Sequence, residues 1–412
     1  MKIRLIYPKW PKLHGQREFH LPPHGPVVFA AAVPEEHDLL FTDENIDEVS
    51  LDEDVDLLCL SVMLTCQISR AFEIADHFRS RGIPVIMGGI ATSLHAEEAT
   101  AHADAVFVGE VEGRFEQLLA DLKAGDLRKV YNFLDDPVPI ESVGTARRAV
   151  LNRDKYSYRG VQMVDLVHAS RGCRFRCYPC CVRYLGGRSF RPRPIDKVVA
   201  EVESIPNNRL FFVDNSLAQD KQWELDLFRA LAPLKRSIIS HPVEDDDDVL
   251  KAAADAGLWW VYQAVFDTSD FIRNRVRRLK EHGVAVEATV LLGMDDHDED
   301  SIRRLIDFLL EIELDLAEFT VLTPFPHTQT FDDLEREGRI LHRDWSRYTA
   351  GEVVYRPRRM TPDKLQELFH FAWGEFYRNE PQQVKMARLL KTAIKREMAS
   401  GTRHRFPGPG KH

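Results

Sequence analysis

Long apolar runs are absent from this 412-residue chain, and so is an excess of basic charge. No stretch approaches the roughly 18 apolar residues of a membrane-spanning helix, and the start "MKIRLIYPKW" lacks the apolar segment of a signal peptide. The 55 basic and 65 acidic residues leave a net charge of −10, which disfavours a basic face for phosphates. We therefore expect a cytoplasmic protein with no transmembrane segment and no nucleic-acid partner.

Cysteine is scarce, yet four of the six cysteines lie within the stretch "SRGCRFRCYPCC" (170–181). Cys173, Cys177 and Cys180 are spaced Cys-x3-Cys-x2-Cys, so three thiolates on one loop can hold three irons of a cubane cluster and leave the fourth iron open. A structural zinc is one alternative, but it usually takes two pairs of ligands, and no second pair is present. Buried, inert cysteines are another, although the segment is too polar for a core strand. The spacing favours an iron–sulfur cluster.

The first part of the chain, residues 1–135, alternates apolar strands with helices. Strands are predicted in "KIRLIYP" and over 38–44, 56–62, 83–89 and 103–110, and "QISRAFEIADHFRSRG" has the periodicity of a helix ending at Gly82. Strands that are apolar nearly throughout predict a doubly wound parallel sheet covered on both faces. Ligands of such sheets bind at the carboxyl ends of the strands.

The rest of the chain predicts a linker, a barrel and a helical cap. Residues 136–159 contain prolines and are interpreted as the linker. Residues 160–328 contain six strands in β/α order, which predicts a partial (β/α)6 barrel with its functional loops after the strands. Those strands are predicted in "VDLVHASRGC", "RLFFVDNS", "SIISHP", "WWVYQAV", "VAVEATVLLG" and "AEFTVLTPFP". Residues 329–412 are mostly helical, and we expect Trp345, Trp373 and Phe376 to pack this cap onto the barrel.

These features together resemble a known superfamily. The cysteine spacing after a strand, within six β/α units, resembles the radical S-adenosylmethionine enzymes, and residues 1–135 are similar to the cobalamin-binding domain that often accompanies them. The detailed resemblance is to the subfamily that includes hopanoid C-methylases. Its motifs here include "LPPHGPVVFAAAVPEEHDLLFTDENIDEV", "MGGIATSLHAEE", "ADAVFVGEVEG", "HGVAVEATVLLGMDDHDED" and "VLTPFPHTQTFDDLEREGRILHRDW". They follow one another in order over nearly the whole chain.

The resemblance implies a specific set of cofactors. Cys173, Cys177 and Cys180 would hold a 4Fe–4S cluster whose open iron binds the amino and carboxylate groups of S-adenosylmethionine. An electron donor such as flavodoxin or ferredoxin would reduce the cluster, and a 5′-deoxyadenosyl radical would abstract hydrogen from an unactivated carbon. Methylcobalamin would then methylate that carbon in a small-molecule or lipid-like substrate. The protein would thus be a methyltransferase.

Candidate contacts follow from the same resemblance. No Asp-x-His-x-x-Gly run offers a histidine to cobalt, so the candidates for the cobalamin tail and ring are small or polar residues at strand ends. These are Ser61, Thr65, Gly88, Gly89, Thr92, Gly109 and Glu110. Tight sheet turns would explain the glycines equally well.

The barrel offers further candidates and some departures from the family pattern. Asp214 and His241 fall at strand ends, where barrel sites collect, although a capping role is an equal interpretation. Relatives carry a Gly-x-Glu-Ser-like stretch near Gln263, which leaves the ribose contacts of S-adenosylmethionine in question here. Tyr262 is a candidate for the substrate cavity. Cys181 is a spare thiol, either reactive or a bystander next to a cluster ligand.

Two other functions stay open at this point. A radical enzyme without cobalamin would carry out a cyclisation, an oxidation or transfer of the 3-amino-3-carboxypropyl group of S-adenosylmethionine. A non-enzymatic sensor of the cluster or of a corrinoid is the third interpretation. Product masses and 5′-deoxyadenosine formation distinguish the three.

Overall fold

Two parallel six-stranded sheets form the framework of the protein. They are seen in a computed structural model that describes residues 1–11, 21–158, 161–162, 164–187 and 189–399. In that part of the chain, none of the helices combines the length and apolar character that a membrane crossing needs. Both sheets match the fold predicted from the sequence.

The first sheet has the strand order β2-β1-β3-β4-β5-β6. Its strands are β1 (Lys2–Tyr7), β2 (Asp38–Asp43), β3 (Leu57–Ser61), β4 (Val85–Gly88), β5 (Ala105–Val108) and β6 (Val130–Asn132). Its helices are α1 (His24–Ala32), α2 (Ile68–Ser80), α3 (Ile90–Leu94), α4 (Ala96–His102) and α5 (Phe115–Ala124). The five predicted strands and the predicted helix α2 are confirmed. Only β6, three residues long, was missed at the edge of the predicted linker.

Helices cover both faces of this sheet, which explains why its strands are apolar throughout. Ile6, Leu58 and Leu60 face α2, whereas Leu5 and Leu57 face α1 and α5. Each central strand therefore buries side chains in both directions, and a continuous apolar run is the sequence pattern that results. The chain order reverses between β1 and β3, so the carboxyl ends of these two strands border the crevice where such sheets bind ligands.

The second sheet is the partial barrel, with the strand order β16-β15-β14-β13-β12-β9. Two small antiparallel pairs, β7 (Ser157–Tyr158) with β8 (Val161–Gln162) and β10 (Ser170–Arg171) with β11 (Arg191–Pro192), accompany it. The barrel strands are β9 (Asp165–Val167), β12 (Arg209–Phe212), β13 (Ser237–Ser240), β14 (Leu258–Val265), β15 (Ala285–Leu292) and β16 (Leu316–Val321). The helices here are α6 (Val182–Leu185), α7 (Ile195–Ser204), α8 (Lys221–Leu231), α9 (Asp247–Asp255), α10 (Asp270–Glu281) and α11 (Glu299–Glu311). All six predicted barrel strands are confirmed.

Successive residues of the barrel strands point alternately to the helices and to the lumen. Val261 and Val286 pack in the core beneath the helices, whereas Trp260, Tyr262 and Ala285 pack on the lumen side. This alternation determines which polar side chains of the strands can meet a ligand inside the barrel.

The C-terminal part contains α12 (Gln329–Arg336), α13 (Pro362–Phe376) and α14 (Gln382–Ala399). Trp373 and Phe376 of α13 pack in the barrel core, as predicted. The prediction for Trp345 was wrong. Its ring packs in the core of the first sheet, and its Nε1 donates to Glu98 Oε2 at 2.8 Å. The segment between α12 and α13 therefore ties the cap to the first sheet, because tertiary contacts and not local sequence decide which core an aromatic residue joins.

Helix α14 covers the amino-terminal ends of the barrel strands. Met386, Leu389 and Leu390 pack against the lumen-side cluster that includes Trp260 and Leu316. The lumen is therefore covered at the amino ends of its strands, which leaves the carboxyl ends as the side where a ligand can enter.

Candidate functional site

The cysteine loop begins just after the first barrel strand and is closed by a short antiparallel stem. In that stem, Ser170 and Arg171 of β10 pair with Pro192 and Arg191 of β11. Gly172 follows the stem with φ +73°, and a Cβ there would lie 2.1 Å from the carbonyl oxygen of Ser189. Only glycine fits this position, so the loop that carries the cysteines leaves the stem in one defined direction.

The three predicted cluster cysteines lie near one another in this loop. Cys177 and Cys180 are exposed and Cys173 is half-buried. Burial raises the pKa of the Cys180 thiol, and negative charge at Cys177 and Cys173 raises it further. Burial also raises the pKa of Cys173, again with a contribution from Cys177. The three sulfur atoms therefore interact electrostatically, and a cation between them would relieve the repulsion between thiolates.

A single metal ion needs ligands that converge on one point. Among the residues with described positions, no group of three His, Cys, Asp or Glu side chains is arranged to hold one ion. A cubane cluster makes a different demand, since each thiolate binds a different iron and the sulfurs need not converge on one point. Three neighbouring, accessible thiols on one loop meet that demand.

Cys181 resembles the predicted cluster cysteines in its surroundings. It is half-buried and precedes α6, and burial, with a smaller contribution from Cys180, raises its pKa to about 11. A reactive cysteine needs the opposite shift, because the thiolate is the nucleophile. That Cys181 is a bystander stays a prediction.

Asp214 holds the backbone at the start of the loop. Its carboxylate accepts hydrogen bonds from the amides of Ala169, at 3.0 Å, and Ser170, at 2.5 Å. Burial raises the pKa of Asp214 to about 6, and these amide hydrogen bonds oppose the shift. His241 Nδ1 lies 2.5 Å from the carbonyl oxygen of Asp214. Both predicted residues therefore meet directly behind the loop, with Asp214 supporting its backbone.

Tyr262 and Gln263 point to opposite sides of β14. Tyr262 stacks on Phe211 with ring centroids 5.2 Å apart and contacts the ring of His241 edge-on at 5.8 Å, which places it in the lumen. Gln263 accepts a hydrogen bond from Nε of Arg275, a residue of the covering helix α10, at 3.2 Å. The structure therefore brings Tyr262 and His241 together and separates Gln263 from them.

Sequence reasoning missed an acidic residue in the lumen. Glu287 on β15 is the Cα partner of Tyr262 and is buried. Burial raises its pKa well above the ordinary value, and the nearby charge of Glu318 adds to the shift. The available signal was a single acid at a lumen position of the otherwise apolar segment "VAVEATVLL".

The predicted cobalamin residues gather at the carboxyl ends of β3, β4 and β5, but several hydroxyl groups are already engaged. Thr92 Oγ1 donates to the carbonyl oxygen of Gly88 at 3.0 Å, and Thr65 Oγ1 lies 3.4 Å from His95 Nε2. Gly89 has φ +104°, and a Cβ there would lie 2.5 Å from the carbonyl oxygen of Val62, so the turn itself requires glycine. Ser61 lies at the end of β3, close to Gly25 at the start of α1.

Exposed apolar side chains lie at the same edge of the sheet. Met63 follows β3 and is 43% exposed, and Ile90 follows β4 and is 47% exposed. A flat, largely apolar ring such as a corrin would cover such side chains. This edge therefore fits the ring of cobalamin, and the signal that sequence reasoning missed was the apolar residue two positions after β3 and after β4.

Glu110 has a different environment from the other predicted cobalamin residues. Gly109 follows β5 and turns the chain with φ +105°. The carboxylate of Glu110 then forms ion pairs with Arg191 and, at 3.3 Å, with Arg171. Burial opposes the charge of Glu110, but these guanidinium groups outweigh it and hold its pKa below the ordinary value. The loop after β5 thus contacts the stem of the cysteine loop.

A histidine pair makes a second contact between the two sheets. His24, at the start of α1, and His168, after β9, approach to 2.7 Å between Nε2 and Nδ1. Burial lowers the pKa of His24 to about 3 and that of His168 well below its usual value. The positive charges of Arg148, Arg171 and Arg193 act in the same direction.

This pair predicts that acid destabilises the protein. Unfolded histidine binds a proton below about pH 6.5, whereas buried His24 and His168 do not, so the free energy of unfolding should fall as the pH falls below that value. Each histidine contributes up to about 1.4 kcal/mol per pH unit. The pH dependence of urea unfolding between pH 6.5 and 5 gives the number of protons that the protein takes up on unfolding. In His24→Phe that number should fall by about one. An unchanged slope would show that His24 is protonated in the folded protein.

No family model matches the chain, but individual known proteins do. The chain is 25% identical to bacteriochlorophyllide d C-8(2)-methyltransferase of Chlorobaculum tepidum over 85% of its length and 84% of that protein's. It is 22% identical to hopanoid C-2 methylase of Rhodopseudomonas palustris, over 83% of this chain and 72% of that one. Among solved structures, it resembles the radical S-adenosylmethionine methyltransferase TsrM from Kitasatospora setae, which contains cobalamin and a [4Fe-4S] cluster. That match has a TM-score of 0.64 and 16% identity over 90% of this chain and 85% of TsrM.

Proposed function

We propose that this protein methylates a carbon atom of a small-molecule or lipid-like substrate. The proposal starts from the confirmed resemblance of the chain to radical S-adenosylmethionine methyltransferases with a cobalamin-binding-type domain. One observation carries the proposal. The loop with three neighbouring cysteines lies where the carboxyl ends of the strands of one sheet meet those of the other. Glu110 and His24 make the contacts that join the two sheets there. A reaction that uses both a cluster and a corrinoid needs the two cofactor sites to face one another in this way.

The cofactors assign distinct tasks to the residues around them. When bound, the reduced cluster supplies the electron that cleaves S-adenosylmethionine, and cobalamin supplies the methyl group. Cys173, Cys177 and Cys180 would hold the cluster. Asp214 accepts hydrogen bonds from the backbone amides of Ala169 and Ser170, and so keeps the loop in place from the barrel side.

Cobalamin would lie at the carboxyl edge of the first sheet. Met63 and Ile90 offer apolar contacts to the ring, and Gly89 permits the tight turn that precedes Ile90. Ser61, near the start of α1, is the hydroxyl group best placed for a polar contact. Thr65 and Thr92 act by shaping the turns, since their hydroxyl groups already contact His95 and the carbonyl oxygen of Gly88.

The substrate would enter the barrel lumen from the carboxyl ends of the strands. Tyr262 and Phe211 offer a stacked aromatic surface, and His241 contacts both rings. Burial raises the pKa of Glu287, and its carboxyl group can form a hydrogen bond with a polar group of the substrate. A flavodoxin or ferredoxin would deliver the electron, and the cytoplasm, which keeps thiols reduced, is the compartment we propose.

Metal and corrinoid analysis of protein purified anaerobically from cells grown with cobalamin tests this function. We expect about four irons per chain together with a bound corrinoid. Incubation with S-adenosylmethionine and a reductant should then yield 5′-deoxyadenosine. Iron without corrinoid would favour the radical enzyme that works without cobalamin, and iron and corrinoid without S-adenosylmethionine cleavage would favour the sensor. Zinc in place of iron would contradict the proposal.

A further inference from the structure

Two carboxylates of the first sheet hold both strands of the stem that carries the cysteine loop. Glu110 and Glu112 follow β5. Glu110 pairs with Arg191 on one strand of the stem, with a second contact of 3.2 Å from Arg191 Nη1 to its Oε2. Glu112 pairs with Arg171 on the other strand, where Arg171 Nη1 donates to its Oε2 at 3.2 Å.

The contacts around these pairs make the arrangement more than a surface ion pair. All four side chains are at most 18% exposed. Glu110 Oε2 also accepts the amide of Val138 at 2.8 Å, while Arg191 Nη1 donates to the carbonyl oxygen of Val138 at 3.0 Å. Two guanidinium forks that each meet a carboxylate with two nitrogens fix direction as well as distance.

We infer that Glu110 and Glu112 are positioning residues that clamp the stem of the cysteine loop onto the first sheet and so fix the distance between the cluster and the corrinoid. The sequence suggested that Glu110 contacts cobalamin. In this inference it does not, and it instead acts on the stem through Arg171 and Arg191. The clamp itself depends only on the contacts of the stem. Its consequence for the cofactor distance rests on the proposed function.

Tryptic cleavage within the loop tests the clamp directly. Arg174 and Arg176 are exposed between the cysteines, so trypsin can cut there when the loop opens. In the double variant Glu110→Gln/Glu112→Gln, made in the full chain with its cofactors, we expect cleavage at these sites to become about tenfold faster, because both ion pairs are lost. Mass spectrometry of the fragments identifies the sites.

A matched control removes a comparable ion pair elsewhere in the same sheet. Asp104 precedes β5 at its other end and pairs with Arg79 at 3.2 Å, away from the stem. Asp104→Asn should leave cleavage at Arg174 and Arg176 unchanged. The reversed pair Glu110→Arg/Arg191→Glu should restore part of the protection that the single variant Glu110→Arg loses, because opposite charges again meet at the stem.

Pulsed electron paramagnetic resonance measures the consequence for the cofactors. In the double variant, the distances between the reduced cluster and cob(II)alamin should spread more widely than in the unchanged protein.

Equal cleavage rates for the double variant and the unchanged protein would overturn the clamp. Loss of corrinoid from Glu110→Gln with unchanged cleavage would overturn it too, and would make Glu110 a cobalamin contact. The same cleavage comparison can be repeated on protein without corrinoid, so failure of the clamp is distinguishable from failure of the proposed function.

Discussion

Serine in place of Cys177 is expected to remove the cluster and reduce 5′-deoxyadenosine formation to the level found without enzyme. A serine hydroxyl has nearly the shape of the thiol but is not the iron ligand that a thiolate is. Cys177 is exposed within the loop, so the substitution creates no cavity in the core. Iron content should fall from about four atoms per chain to well below that number, because two thiolates remain where three are needed.

The adjacent cysteine provides the matched control. Cys181→Ser changes the same atom in the same loop, but at a position that we regard as a bystander with a raised pKa. Its iron content and 5′-deoxyadenosine formation should stay close to those of the unchanged protein. If both serine variants lost iron equally, the loop would be sensitive to any substitution and ligation by Cys177 would not be shown. If Cys177→Ser kept its iron, the assignment of the three ligands would be wrong.

The elements that local sequence specifies were predicted well. The apolar runs of β1, β3 and β14 identify strands because each run is bounded by turn residues and separated from the next by a helix. The cysteine loop was placed correctly after a barrel strand because its spacing and the preceding strand are both local features. The short edge strand β6 was missed since three residues carry too little periodicity to be recognised.

Contacts between distant parts of the chain were not predictable in the same way. Glu110 was assigned to cobalamin from its place at a strand end, whereas its partner Arg191 is 81 residues away. Trp345 joins the first sheet through Glu98, 247 residues away. Nothing in the local sequence of either residue indicates these partners, because they depend on how the two sheets pack.

The orientation of a side chain within a strand was predictable only in part. Tyr262 was a candidate for the substrate cavity, and its neighbour Gln263 was a candidate from the family's Gly-x-Glu-Ser-like stretch. A strand places neighbouring residues on opposite faces, so at most one of the two could point into the lumen. The alternation was readable from the sequence, but the face that forms the lumen was settled only by the packing of α10 and α14.

Removal of the Glu397 side chain is expected to give the largest loss of stability among single substitutions in α14. Its carboxylate accepts from Arg209 Nε at 3.0 Å and Nη2 at 2.9 Å, and from the Ser237 hydroxyl at 2.6 Å, all buried. Arg209 and Ser237 are the first residues of β12 and β13, so the contact fixes α14 over the amino ends of the barrel strands. In Glu397→Ala the buried guanidinium loses this carboxylate, and the free energy of unfolding should fall by about 3–5 kcal/mol.

Urea unfolding followed by tryptophan fluorescence measures this loss, because Trp259 and Trp260 belong to the cluster that α14 covers. Glu380→Ala is the control, since it breaks the exposed pair of Glu380 with Arg388 and should cost no more than about 1 kcal/mol. The double variant Glu397→Met/Arg209→Leu removes both charges together and should recover most of the stability, since well-packed apolar residues replace a buried ion pair at little cost. Equal losses in Glu397→Ala and Glu380→Ala would mean that α14 is not held by the buried pair, and the amino ends of the barrel strands would then need another cover.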